Sequence, residues 1–403
     1  MSLGFRQAGF DVMAAVEYDP IHCAVHEFNF PDCAAICRSV ADIDGRYIRE
    51  HSRIDGADID VVFGGAPCQG FSMIGKRNLD DPRNHLVHHF VRLVTELNPK
   101  FFVFENVKGL TVGQHQSFLS EIMDAFEEKG YQVERRYRVL NAANFGVPQS
   151  RHRLFLLGAR QGMPLPSYPD ATHSPKDEPT GLFSNLSKTP TVWDALGDLP
   201  EADEFDELLD RDWVFARFGK ASSYASSLRQ EPTEQTEEIL TSSLRTVHTP
   251  ESVERFARTP YGDTEPISRF LKLDPNGICN TLRAGTASDR GAFTSPRPIH
   301  PKSPRCITVR EAARLHSYPD SFRLHCTKWH GFRQIGNSVP PLLAQAVAAQ
   351  IPVALALQPT RCATNTGNIA LLTLTMSEAA AHYGVSSTVI PQRLRKVAEK
   401  PHA

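Results

Sequence analysis

A chain of 403 residues is long enough for two or three domains around a sizeable core, and its 41% hydrophobic and 22% charged residues match a folded globular protein. No apolar run approaches the roughly 20 residues of a membrane-spanning helix, and the first residues lack the pattern of a secretory signal. Eight cysteines without C-x-x-C pairs argue against a zinc site and against a secreted disulfide framework, so reduced thiols in a cytoplasmic protein are the expectation.

The net charge of −2 averages two opposed regions. From Asp170 to Leu240 there are 6 Lys+Arg against 16 Asp+Glu, and from Thr241 to Pro340 there are 15 against 8. The acidic peak between Asp198 and Asp212 predicts a surface turned away from any polyanion. The basic stretch predicts a face that contacts phosphates.

In chain order, Val12–Val16, Ile59–Phe63, Phe101–Phe104 and Arg153–Gly158 read as buried strands. Pro82–Glu96 and Gln116–Lys129 between them read as amphipathic crossover helices. This alternation predicts an α/β fold, a doubly wound and mostly parallel sheet over residues 1–160 with its ligands at the carboxyl ends of the strands. Beyond Gly162, proline, serine, threonine and acid dominate without a clear period, which predicts an irregular domain over 161–300. Residues 301–358 then return to the frame through a short helix, Val309–His316, and an apolar helix, Leu342–Leu357. Residues 359–370 read as a linker before a tail over 371–403.

Four segments carry candidate chemistry. In Val61-Val62-Phe63-Gly64-Gly65-Ala66-Pro67-Cys68-Gln69-Gly70-Phe71-Ser72 a buried strand ends in small residues and presents a cysteine in a glycine-flanked loop. Strand-end amides would favour its thiolate, although a buried structural cysteine is the commoner fate of that residue. Phe101–Phe104 ends directly in Glu105, a carboxyl placed to donate or share a proton unless it merely pairs with a lysine. Gln149-Ser150-Arg151-His152-Arg153, if extended, points both arginines to one face, suiting a phosphate or a carbonyl oxygen; an ordinary solvated basic edge is the plainer alternative. Gln334-Ile335-Gly336-Asn337-Ser338-Val339-Pro340-Pro341 joins a glycine turn to prolines at a helix start.

Together with Asp81-Pro82-Arg83-Asn84 and Arg305–Asp320, and in this order, these segments resemble the DNA (cytosine-5)-methyltransferase family of bacterial restriction–modification systems, from Ser2 to about Ile351. The resemblance implies S-adenosylmethionine as methyl donor, a specific duplex DNA site as substrate and a flipped-out cytosine as target. It implies that Cys68 adds to carbon 6 and Glu105 holds ring nitrogen 3 and the amino group. Arg153 contacts the carbonyl oxygen, with Arg151 supporting the active-site loop or a phosphate. For the cofactor, it implies Glu17 on the ribose, Tyr18 on adenine, Asp42 and Ile43 beside it, Pro67 and Leu86 lining the pocket, and Asn337, Ser338 and Val339 closing it. Gln69, Ser72, Lys76, Arg77 and, in the recognition region, Arg283 are the implied DNA contacts. No metal ion enters this scheme. A cognate restriction endonuclease, monomeric action and a cytoplasmic, nucleoid-associated location follow from the same resemblance.

The chain departs from that family at its start. Members begin with a strand and a glycine-rich turn, roughly Asp-Leu-Phe-x-Gly-x-Gly-Gly, before the segment seen here as Ser2–Phe5. The expectation is a product longer at its amino end; the alternative is a truncated DNA-binding homologue without catalysis. An RNA cytosine-5 methyltransferase is the other rival, which the long recognition insert disfavours. In the tail, Ser377–Ser386 followed by Ile390 and Leu394 has the spacing of a helix-turn-helix or of a plain helical extension packed on the domain.

Overall fold

The first strand, β1 (Ala14–Glu17), pairs in parallel with β2 (Ala34–Cys37) through a crossover helix, so Ala14 lies beside Ala34 and Glu17 beside Cys37. This is a computed structural model, and it describes residues 1–65, 85–113, 115–175, 186–229, 238–285, 297–360 and 365–390. A short helix, α1 (Ser2–Gln7), precedes β1. The crossover helix α2 (Pro20–Asn29) starts where Asp19 Oδ1 accepts the amides of Ile21 and His22, with Pro20 in a first turn that needs no amide donor. It buries Ile21, Ala24, Val25 and Phe28. The helix α3 (Gly45–Glu50) follows β2.

A second sheet holds the rest of the frame. β3 (Val61–Gly64) pairs in parallel with β4 (Phe101–Val107), and α4 (His85–Leu97) lies between them in sequence. After α5 (His115–Glu128) come β5 (Tyr131–Val133), β6 (Arg138–Asn141) and β7 (His152–Arg160). The order is β3-β4-β7-β5, with β6 also on β7. β7 is antiparallel to β4, β5 and β6, so every other strand of this sheet shares one direction. The sheet is therefore mostly parallel, as the alternation of elements predicts.

Side-chain alternation along β4 and β7 explains what each face buries. Phe101, Val103, Phe155 and Leu157 pack with α1 and the returning helix near Leu343 and Val347. Phe102, Phe104, Leu154 and Leu156 pack with Val91 and Val94 of α4 and with Ile122 and Phe126 of α5. Gly158 is required because a Cβ there would strike the Phe102 ring.

The irregular region is built from short pieces: β8 (His173–Ser174) with β9 (Ser187–Lys188), α6 (Val192–Leu196), β10 (Val214–Ala216), α7 (Ser223–Leu228), β11 (Glu238–Leu240) antiparallel to β10, and α8 (Pro250–Arg258). The chain returns through α9 (Val309–Leu315) and α10 (Lys328–Asn337). The long apolar helix expected over Leu342–Leu357 is instead α11 (Pro341–Ala348) and α12 (Gln350–Ala354). Pro352 has no amide donor and its ring crowds the carbonyl four residues back, which interrupts the helix. A last helix, α13 (Met376–His382), buries Ala379 and Ala380 and packs on α2, whose Ala24, Val25 and Phe28 form an apolar cluster with Leu371 and Leu372, and the Tyr383 hydroxyl donates to Glu27 at 2.6 Å. Among the described residues no helix is long and apolar enough to cross a membrane.

The charge map differs from the one that counting suggests. Asp198, at the start of the acidic stretch, is buried and binds Arg314 at 3.1 Å and Arg229 at 2.9 Å. Glu201 binds Arg305 at 2.6 Å, and Arg305 also binds buried Glu311 at 2.8 Å. Arg310 donates to the Thr241 carbonyl and hydroxyl. Asp198 and much of the basic stretch thus pair inside the fold, because a buried charge must be paired, while Asp203, Glu204, Asp206, Glu207 and Asp210 stay exposed as the acidic peak predicts.

Candidate active site

The parity that sorts apolar side chains between faces also sorts the polar ones. Glu105, Arg153 and Arg151 continue the series Phe101, Val103, Phe155 and Leu157, and so share the face covered by α11. Glu105 is only 9% exposed, and its Oε1 meets the Arg153 Nε at 2.8 Å. Its other carboxylate oxygen lies against Gly65, where a Cβ would collide with it. Gly65 directly follows β3, so the end of that strand packs on this carboxylate.

Arg151 behaves differently from its neighbour. It is fully buried, with Nη1 donating to the Leu282 carbonyl at 2.6 Å and Nη2 to those of Gly336 and Ser338 at 2.6 and 2.8 Å. Burial, and then the nearby Arg153 charge, push its pKa well below the usual guanidinium value. The alternative that Arg151 holds a phosphate is corrected by this geometry: a guanidinium with no exposure, committed to three carbonyls, cannot reach DNA. It joins the loop before Arg283 to the turn at Asn337.

Sequence reasoning assigned no role to two residues of this junction. Buried Gln149 accepts the Leu282 amide at 3.1 Å and contacts His316 Nδ1 at 3.0 Å; the other His316 nitrogen lies 3.0 Å from the Ser338 hydroxyl. Burial and then the Arg151 charge hold His316 neutral, far below the usual imidazole value. Gly336 admits no side chain, since a Cβ would fall on the backbone of Arg283 and Ala284. Between these anchors Arg283 is exposed. The signal was present in Gln149 and His316, but two polar residues 167 apart carry no local pattern.

A cavity of about 1220 Å³ runs along the face, between β1 and β3. Glu17, Tyr18, Asp42, Leu86, Glu105, Asn337, Ser338 and Val339 all line it. Glu17 Oε1 accepts the amides of Tyr18 and Asp19, which leaves its second oxygen for a ligand. Tyr18 is 46% exposed, and its hydroxyl donates to the Val389 carbonyl at 2.6 Å, so the tail touches the cavity's rim. Ile43 does not line the cavity. It is buried in the cluster of Ile36, Ile48 and Leu93, and its carbonyl accepts from Arg92 at 2.9 Å. Pro67, Cys68, Gln69, Ser72, Lys76 and Arg77 lie outside the described residues.

The mixed α/β frame thus brings a carboxylate–arginine pair to the strand ends beside a large cavity, the arrangement of an α/β enzyme. Residues 1–352 match the family model of the C-5 cytosine-specific DNA methylases. The chain is 60% identical to the type II methyltransferase M.XorII of Xanthomonas oryzae pv. oryzae over 408 aligned positions, covering 98% of this chain and 93% of that protein. It is 34% identical to the type II methyltransferase M1.HphI of Haemophilus parahaemolyticus, covering 87% and 83%. Among solved structures it resembles a prophage-encoded E. coli protein assigned as a DNA modification methyltransferase, at TM-score 0.70 and 32% identity, covering 88% and 96%. Against the Dnmt2 methyltransferase of S. pombe the TM-score is 0.52 at 16% identity over 88% and 95% of the two chains, a likeness of fold alone. The chain belongs to the C-5 cytosine-specific DNA methylase family, whose substrate is DNA and whose methyl donor is S-adenosylmethionine.

Proposed function

We propose that this chain methylates carbon 5 of a cytosine flipped out of a specific duplex DNA site, as the modification arm of a restriction–modification system. The observation that carries the reading is the Glu105–Arg153 pair, set against Gly65 at the mouth of the cavity. Carbon 5 of cytosine is a weak nucleophile, and Cys68, three residues beyond Gly65, activates it by adding as thiolate to carbon 6. Glu105 hydrogen-bonds ring nitrogen 3 and the amino group as charge develops, and Arg153 contacts the carbonyl oxygen. Loss of the carbon 5 proton then returns electrons to the ring and expels the Cys68 thiolate. Arg151 positions the loops of this site and does not touch the base.

The cavity suits an adenosine-bearing cofactor: a free carboxylate oxygen on Glu17, the Tyr18 ring and Asp42 at one end, and Asn337–Val339 toward Glu105. S-adenosylmethionine, when bound there, supplies the electrophilic methyl group. Leu86 gives apolar wall, Ile43 acts from behind through packing, and the family likeness adds Pro67, which lies outside the described residues. Residues 161–300 form the recognition domain, with Arg283 as a DNA contact alongside Gln69, Ser72, Lys76 and Arg77. Action as a monomer in the cytoplasm, beside an endonuclease for the same site, completes the reading.

The test is bisulfite sequencing of DNA from cells that lack cytosine methylation and express either this chain or its Cys68→Ser variant. Protected cytosines within one short motif, absent in the variant, support the proposal. Equal conversion in both samples refutes it for this chain.

A further inference from the structure

Behind Tyr18, the first turn of α2 meets α10. Asp19, His22 and His330 converge there, with one donor atom from each lying within 4.8 Å of the others. Asp19 Oδ1 is committed to capping α2, but its Oδ2 is buried and has no hydrogen-bond partner among the described residues. The same holds for His22 Nε2, 3.9 Å from that oxygen, and for His330 Nδ1. Buried polar atoms without hydrogen-bond partners among the described residues, on three side chains that converge, are an arrangement that burial penalises unless something joins them.

We propose that Asp19, His22 and His330 bind a divalent transition-metal ion of the Zn²⁺ type. Two imidazole nitrogens and one carboxylate oxygen suit Zn²⁺, Co²⁺ or Ni²⁺ rather than the oxygen-seeking Mg²⁺ or Ca²⁺. Tetrahedral bonds of about 2.05 Å place ligand atoms about 3.3 Å apart. The His22–Asp19 pair therefore needs to close by about 0.6 Å, and no pair of the three by more than about 1.5 Å, through side-chain torsion changes. His330 packs edge-on against His325, with ring centroids 4.9 Å apart. His325 itself is committed, with its two nitrogens at 2.9 Å from the Thr327 hydroxyl and 3.0 Å from the Leu374 carbonyl.

Two features oppose a cation. The amino end of α2 is its positive pole, and the Arg333 charge bears on His330. The Asp19 charge and direct coordination must outweigh both. The fourth position can be filled by solvent, since His22 lines the large cavity. The ion would tie the start of α2, directly after Glu17 and Tyr18, to the helix that ends at Asn337, and so brace both sides of that cavity. The segment's chemistry is invisible to a search for cysteine spacing, which is why the sequence suggested no metal.

The experiment uses the full chain stripped with a chelator and titrated with Co²⁺, then with Zn²⁺. Cysteine sites announce themselves by a thiolate-to-metal charge-transfer band, whereas this site gives a tetrahedral Co²⁺ spectrum without one. The expected result is one thiolate-free Co²⁺ per chain. Its affinity should fall at least tenfold in both His330→Gln and His22→Gln, and Zn²⁺ should raise the Tm of the wild type only. Each variant is first compared with metal-free wild type by circular dichroism; if one is misfolded, the other is decisive. Absence of a saturable thiolate-free spectrum, or the same spectrum in a folded variant, overturns the proposal. The readout is independent of methyl transfer.

Discussion

Arg151→Ala offers a direct test of how the catalytic frame and the recognition region are joined. The side chain is fully buried and donates to three carbonyls, those of Leu282, Gly336 and Ser338, at 2.6, 2.6 and 2.8 Å. The Ser338 carbonyl keeps His316 Nε2 at 3.3 Å, and each of the other two left unpaired costs about 1–3 kcal/mol, so a simple sum lies between about 2 and 6 kcal/mol. These losses share one cavity that water can enter, and neighbouring terms do not add. A destabilisation of about 4 kcal/mol is therefore expected, in the range reserved for broken buried networks. Urea unfolding should show a lower midpoint with an unchanged slope. Arg151→Lys, with a single donor group, should fall between the two, and both variants should lose methylation as the loops around Arg283 and Asn337 loosen. An Arg151→Ala protein within about 1 kcal/mol of wild type would refute the reasoning, because the cost of burying the guanidinium would then cancel its bonds.

Three further outcomes are expected. Glu105→Gln should reduce methyl incorporation into DNA by roughly 10²–10³-fold, on the scale of removing one preorganised electrostatic contact, while circular dichroism stays unchanged. Retained activity would remove Glu105 from the mechanism. Gly336→Ala should fail to fold or unfold well below wild type, since its Cβ would fall on the backbone of Arg283 and Ala284; an unchanged Tm contradicts that packing. Glu311 is buried, which by itself disfavours its charge, but Arg305 and then His300 outweigh burial and hold it at about 2 rather than 4.5. A depressed folded value means this stabilisation is present above about pH 4.5 and lost as pH falls toward 2, with a ceiling of about 3 kcal/mol. The gap in urea midpoint between wild type and Glu311→Gln should thus be wide at pH 7 and narrower at pH 3; a constant gap would exclude the ionised carboxylate as its source.

What the sequence determined by itself was local in nature. Apolar runs located the strands, to within two residues at each end except for Phe101–Phe104, whose strand continues to Val107, and their alternation with amphipathic stretches predicted the mostly parallel sheet, because periodicity and crossover length are properties of short segments. The motifs around Cys68, Glu105 and Gly336 were legible for the same reason. Only the tertiary structure decided which charges face solvent. Asp198, Glu201, Arg305 and Arg314 lie up to 116 residues apart in sequence yet pair inside the fold, so counting them as two opposed surfaces misplaced them. It also separated Arg151 from Arg153, two residues apart on one face, because one points at backbone from residues 282–338 and the other at Glu105. The Asp19–His22–His330 cluster has the same origin: its members come from helices joined only by packing, a relation that no local pattern in the chain encodes.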